Sequence, residues 1–441
     1  MWLALALQAA AVASAPTPGS APVRQGVAND PAVRARTEDV LRLLDNRSGY
    51  DTTFAPAFRN AVPKAQFDAI VRQLSDALGR PTGVESITAV TPWSARVRIG
   101  YERGVLNADI VVDSAAPHLV TGLLAKGAEP RGPQVASVDE VVRQIAALPG
   151  RTGFALARLG DGAPALTAGH EAGRPLAIGS AFKLVILAEL ARSIAAGERK
   201  WGDVVTLDGS ALPGGGYAQQ PKGTKIPLRE LAGRMISVSD NSATDILLFH
   251  LGRTKVEAML PVVGMTDGGR RNVPFLGALE LFKLKGVNGG ALGVEYLTLD
   301  AAGRRRMLDG KVAATPIAAI PRDLFQDKKP VRIAELEWFA SPGDLIRTMD
   351  WLRRHSEGPD GAELRAILSK NPGLSSATES WSYVGYKGGS EPGVLTMTFL
   401  LRGNDGAWAA LSAGWNDSAS DVNLLKFSGL VGSALRLAAP N

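Results

Sequence analysis

The sequence has no cysteine among its 441 residues. That excludes a disulfide scaffold, a thiol nucleophile and any cysteine-ligated zinc or iron–sulfur site. Histidine is scarce: His118, His170, His250 and His355 are the only 4. No two share a metal-binding spacing, so neither a histidine-built metal centre nor another cofactor is expected. No stretch reaches about 18 uninterrupted apolar residues, the length a transmembrane helix needs. A strong excess of one charge is lacking too, with 49 Lys and Arg against 43 Asp and Glu, a net +6. That balance is compatible with an anionic partner such as a cell-wall polymer. A solvated basic surface explains it as well, and no nucleic-acid partner is expected. What remains is ordinary globular composition, 45% hydrophobic and 21% charged. Disorder of the whole chain is thereby excluded. At roughly 100–200 residues per domain, the length predicts two or three domains.

Trp2 to Ala13 is almost wholly apolar and is followed by Ser14-Ala15-Pro16. A dozen apolar residues matches the hydrophobic region of a signal peptide, and Ala13-Ser14-Ala15 supplies the small residues a signal peptidase reads. Residues 1–15 are expected to be a signal peptide, which places the protein in the periplasm or outside the cell. Two features depart from the pattern: no Lys or Arg precedes the apolar run, and Pro16 follows the cut. Residues 16–30, rich in Ala, Pro, Gly and Ser, read as a flexible linker.

Beyond the linker, the apolar period divides the chain near residue 130. Residues 31–75 are helical in pattern, with Val33, Val40, Leu41, Leu43 and Leu44 on one face. Phe58 to Leu78 repeats the pattern through Phe67, Ile70, Val71 and Leu74, and Gly79 and Pro81 stop it. Then the period becomes two. Ser86–Val90, Ala95–Ile99 and Ala108–Val112 read as strands. Helices followed by an antiparallel meander make an α+β domain over residues 31–128. Ala125 to Pro133 reads as the connection to the next domain. Residues 137–441 form the larger domain. Strands are expected at Gly153–Leu159, Trp381–Tyr386, Val394–Leu401 and Ala407–Ala413. Helices are expected at Ser180–Ala196, Leu228–Val238, Ala243–Leu251, Leu345–His355 and Asp421–Leu437. Strands at both ends with helices between predict one antiparallel sheet built from the two ends of the domain, with a helical block beside it.

Three short motifs carry chemistry. In Ser180-Ala181-Phe182-Lys183, the lysine lies one helical turn from the serine. A serine hydroxyl needs a base before it attacks. Lysine serves if it is neutral, and burial at the positive end of a helix favours that form. Amide N–H groups at the same helix end can face a developing oxyanion. Alone, the motif reads equally as a capping serine before a surface lysine. Ser239-Asp240-Asn241 reads either as a helix cap or as a proton shuttle, Ser239, beside a substrate hydrogen-bonding group, Asn241. Lys387-Gly388-Gly389-Ser390, after the strand Trp381–Tyr386, reads either as a bulge or as a close-approach site. There glycines admit a ligand to the backbone, and lysine and serine hold a carboxylate.

In their order, and with Ser239 following Ser180 by 59 residues (239 − 180), the motifs resemble those of the class A β-lactamases and penicillin-recognising serine hydrolases. Met235 to Asp245 is similar to that family's second motif with its helical surroundings. Ser341-Pro342-Gly343-Asp344 is similar to the helix start before its third. The resemblance covers residues 137–441 and implies a β-lactamase/transpeptidase-like domain, an antiparallel sheet with an all-helical subdomain. The whole chain resembles a narrower two-domain branch, found in clavulanic-acid gene clusters, with a steroid-isomerase-like (NTF2-like) domain ahead of the hydrolase domain. Lys387 to Gly393 and Arg271 to Leu276 carry that likeness. The resemblance implies that Ser180 attacks the carbonyl, Lys183 takes its proton and Ser239 passes a proton to the leaving group. It implies an oxyanion hole from the N–H groups of Ser180 and Ser390. Asn241 would hold the substrate's side-chain amide, and Lys387 and Ser390 its carboxylate, with Gly389 between them at the substrate. Tyr217 reads as a pocket edge or as an exposed loop residue.

The sequence departs from the family at one step. The Glu-x-x-Leu-Asn loop, whose glutamate activates the deacylating water, does not occur. Its window holds Asn272 to Leu279, and Glu280 is expected to face solvent. Lys387 follows Ser239 by 148 residues (387 − 239), longer than usual, which places extra chain within residues 285–335. Arg304-Arg305-Arg306 and Lys328-Lys329 there read as solvated surface. Acylation of Ser180 by a β-lactam or a related ester or amide is expected, with slow turnover. A carboxylesterase, a D,D-peptidase acting on a cell-wall fragment and a non-enzymatic penicillin sensor use the same residues.

Overall fold

The computed structural model describes residues 28–46, 48–130, 135–374 and 376–440. The expected signal segment and most of the expected linker lie outside them. The chain separates into two compact units, residues 1–133 and 134–441.

In the first unit, helix α1 (Pro31–Asn46) buries Val33, Val40, Leu43 and Leu44. Pro63 divides the second helical stretch, because a proline cannot continue the preceding helix. A short turn over Pro56–Ala61 therefore precedes helix α2 (Lys64–Leu78). Tyr50, Phe54, Phe58 and Phe67 cluster beneath them, with Phe54 and Phe58 stacked at 4.2 Å. Four strands follow as an antiparallel meander: β1 (Pro81–Thr91), β2 (Ser94–Tyr101), β3 (Gly104–Val112) and β4 (Val120–Pro130). The fourth corrects the expected connection. Ala125–Pro130 is not linker but the second half of β4, paired with β3 from Ala108 to Gly104. Gly127 and the charged Lys126 and Glu129 hid a strand that gains its order from the neighbouring strand's hydrogen bonds.

In the larger unit, helix α3 (Val138–Ala146) precedes β5 (Arg151–Leu159) and β6 (Ala165–His170). The chain then turns through Gly179–Phe182 into helix α4 (Lys183–Ala195). Helices α5 (Leu228–Ser237), α6 (Asn241–Leu251) and α7 (Ala278–Gly286) build the helical part. Helix α8 (Pro342–Arg354) leads back to strands β7 (Tyr383–Glu391), β8 (Val394–Arg402) and β9 (Trp408–Asn416), and helix α9 (Leu424–Ala438) closes the chain. The sheet order is β7-β8-β9-β5-β6, so the two ends of the unit do share one antiparallel sheet. Strand β9 pairs with β5, Leu411 opposite Leu156. Helices α3 and α9 cover one face through Val141, Ile145, Phe427 and Val431. Helix α4 belongs to the core on the other side; Leu184 to Ala191 are all buried, the mark of a central helix. Among the described residues no helix is long and apolar enough to cross a membrane.

Candidate functional site

Two boundaries differ from expectation, and both matter to the site. Ser180 does not sit in the α-helix but in the tighter turn Gly179–Phe182, three residues before α4 begins at Lys183. The Lys387-to-Ser390 segment does not follow a strand; it lies within β7, paired residue by residue with Thr398, Met397, Thr396 and Leu395 of β8. Alternation of side chains along a strand thus sets Lys387 and Gly389 on one face.

Two glycines let these segments meet. Gly179 has φ +46°, in the left-handed region, and a Cβ there would stand 2.8 Å from Ser390 N. A Cβ on Gly389 would stand 2.5 Å from Ser180 N and closer still to the Ile178 carbonyl oxygen. Main chain therefore lies directly on main chain, and the amides of Ser180 and Ser390 are brought together. Behind this contact, the short strand Phe339–Ala340 pairs with Leu176–Ala177, and Ile178 N donates to Trp338 O at 3.0 Å.

Lys183 is fully buried on α4. Its amine donates to Ser239 O at 2.7 Å and Asn241 Oδ1 at 2.7 Å, and lies 3.0 Å from Ser239 Oγ. Burial first, and then the neighbouring Lys387, hold its pKa well below the ordinary lysine value. Ser180 Oγ is not among its hydrogen-bond partners. Lys387 is 3% exposed, and burial lowers its pKa to about 7. It donates to Ser239 Oγ at 3.1 Å and to Gly388 O at 2.7 Å. One hydroxyl, that of Ser239, thus stands between two amines.

In Ser239-Asp240-Asn241 the helix-cap reading holds for Asp240, while Ser239 and Asn241 meet the lysine cluster. Asp240 is the helix cap: Oδ1 accepts from Ala243 N at 3.0 Å, while Oδ2 accepts from Gly216 N at 2.8 Å and from Arg234. Its neighbours are freed for the cluster. Ser239 adopts φ +59°, strained for a residue with a side chain and held by the surrounding contacts. Asn241 accepts from Lys183 through Oδ1, which turns its amide N–H groups away from the lysine. Asn371 donates to Ser237 O at 2.7 Å and fixes the turn before Ser239. The Ser341 start is a full capping box with Asp344.

Glu280 corrects an expectation. It does not face solvent; it forms a two-pronged ion pair with Arg253 at 2.6 and 2.9 Å and caps α7 through Gly277 N at 2.7 Å. Arg304 and Arg305 are not simply solvated either: Arg304 stacks over Tyr296 and Arg305 pairs with Glu257. Tyr217 is buried rather than an exposed loop residue, and its hydroxyl donates to Glu230 at 2.7 Å.

Sequence reasoning missed Asp245. It is buried, accepts from the Ala278 and Leu279 amides at 2.6 and 2.9 Å, and has its pKa raised to about 7 by burial. Its position four residues after Asn241, on the same face of α6, was the available signal. Asp245 also lines a cavity of about 610 Å³ with Leu207, Tyr217, Phe249 and Lys283. Ser180 is not in its wall. Among the described residues, no group of three or more His, Cys, Asp or Glu could hold a metal ion.

Residues 136–321 match the family described as the beta-lactamase enzyme family. Solved structures of similar chains include a β-lactamase from Sphaerobacter thermophilus, 20% identical, with 68% of this chain and 94% of that chain covered and a TM-score of 0.47. A β-lactamase from Chitinophaga pinensis is 16% identical, over 68% of this chain and 96% of that one, with a TM-score of 0.45. A protein titled PBP-A is 14% identical, over 70% and 96%, with a TM-score of 0.46. No curated protein matches the chain.

Proposed function

We propose, from the premise that the larger unit is a β-lactamase-like serine hydrolase by its match over residues 136–321, that this protein forms an acyl-enzyme on Ser180. The observation that carries the proposal is the buried, uncharged-leaning Lys183 amine held by Ser239 and Asn241 beside a pair of converging amides. Ser180 Oγ attacks the carbonyl carbon and its proton goes to Lys183 Nζ. The oxyanion accepts from Ser180 N–H and Ser390 N–H. Ser239 relays the proton to the leaving nitrogen as the C–N bond breaks. Lys387 and Ser390 bind the substrate carboxylate, and Asn241 donates to the substrate's side-chain amide. Substrates are β-lactams, with related esters or amides as the wider class.

Deacylation is slow on this reading. Glu280 is occupied by Arg253, and both Asp245 oxygens are occupied by backbone amides. The same feature favours a second reading, a penicillin sensor that stays acylated. We further place residues 31–128 among steroid-isomerase-like domains and residues 1–15 as an export signal, for a periplasmic or secreted protein.

Time-resolved intact mass after addition of penicillin G tests the proposal. The expected result is an adduct of the penicillin's mass on the wild type and none on Ser180→Ala. Decay to unmodified mass over minutes to hours marks a slow β-lactamase, and an undiminished adduct the sensor. An unmodified wild type, or an adduct that survives Ser180→Ala, overturns it. A chromogenic cephalosporin and a p-nitrophenyl ester assayed together rank the amide and ester activities.

A further inference from the structure

Three buried ionisable side chains lie outside the mechanism above. Lys285, at the end of α7, is fully buried as a side chain. Its amine pairs with Glu337 at 2.8 Å and with Glu391. Glu337 is fully buried too, and Glu391 is 10% exposed. Burying three such groups is costly unless their arrangement compensates. Neither carboxylate touches Ser180, Lys183 or Ser239, yet each stands at the end of a segment that does the positioning. Glu391 directly follows Ser390 in β7. Glu337 directly precedes Trp338, whose carbonyl accepts from Ile178 N, and Glu337 Oε2 accepts from Trp338 N at 3.1 Å. The Ile178-to-Ser180 turn is therefore held on one side by the chain after Glu337 and on the other by the chain before Glu391.

We propose that Lys285 is a positioning residue for acylation: its ammonium clamps Glu337 and Glu391, and so fixes the spacing of the two backbone segments between which the Ser180 turn and its amide donors are set. The inference rests on the reading of Ser180 as nucleophile with the Ser390 amide as oxyanion donor. Removing the clamp leaves every reacting group in place but lets the donors drift, and a displacement of about 1 Å suffices to lower a rate by roughly 100-fold.

Glu391→Leu deletes one arm of the clamp, and Glu391→Gln keeps an oxygen for Lys285. Acylation by penicillin G is followed by intact mass across penicillin concentrations, with thermal melting in parallel. Glu391→Gln is expected within about threefold of wild type. Glu391→Leu is expected to lower the limiting acylation rate by roughly 30-fold or more, with the half-saturating concentration within about threefold. If Glu391→Leu does not fold, Lys285→Gln/Glu391→Gln, which removes the ammonium but leaves polar partners, carries the same comparison with the same expected loss. A folded Glu391→Leu, or the folded double variant, that acylates at the wild-type rate overturns the proposal, as does a loss in Glu391→Gln equal to that in Glu391→Leu. A wild type that takes no adduct overturns the acylation reading itself, and the clamp with it.

Discussion

At the scale of single residues, one buried environment lowers the pKa of two lysines, Lys183 and Lys387. Lys387 is lowered to about 7 by burial. A lysine with a lowered pKa keeps its charge below that value and loses it above. For a substrate with a carboxylate, KM is therefore expected to rise roughly tenfold between about pH 6 and pH 8. A p-nitrophenyl acetate substrate, which has no carboxylate, should show no such rise in KM. Steady-state kinetics with both substrates check this; a flat KM for the carboxylate substrate removes Lys387 from its binding. The same scale explains what composition and spacing left hidden. Lys183, Ser239 and Asn241, which the structure brings together, stand out in the sequence because they fall in two short motifs. The roles of Asp245 as amide acceptor and Lys285 as clamp depend on partners from 33 to 106 residues away. No local pattern encodes such pairings.

At the scale of elements, the site depends on how closely β7 lies against the Ser180 turn. Gly389→Ala places a methyl group where Ser180 N and Ile178 O already stand. Overpacking of this kind costs about 1–3 kcal/mol, and separating the amides lowers acylation roughly 100-fold. A lowered melting temperature together with slow acylation by intact mass is the expected result, and a variant with wild-type acylation would remove the close contact from the mechanism. Most elements were legible as periodicity, because α1, α5, α6 and β8 each keep one strong apolar pattern. The misread edges were those set by tertiary context. Strand β7 runs on through Lys387-Gly388-Gly389-Ser390 because β8 supplies hydrogen bonds that glycines could not forecast. Strand β4 extends to Pro130 for the same reason.

At the scale of the molecule, the buried clusters of the larger unit are drawn entirely from residues after 134. A chain beginning at Gln134 is expected to melt in one cooperative transition and to be acylated within about twofold of the full-length rate. A larger loss of rate in the folded piece would assign the first unit a part in the reaction, and failure to fold a part in stability. The sheet has one more consequence. Strand β5, already paired with β6, waits for β9, and the Ser180 turn waits for β7, so the serine is made early and its setting last. A nascent chain still lacking Trp408 has the nucleophile but no finished sheet to hold it. On the proposed reading, a chain cut short before Trp408 is expected to take no penicillin adduct, and covalent capture reports that synthesis has passed the last strand of the sheet.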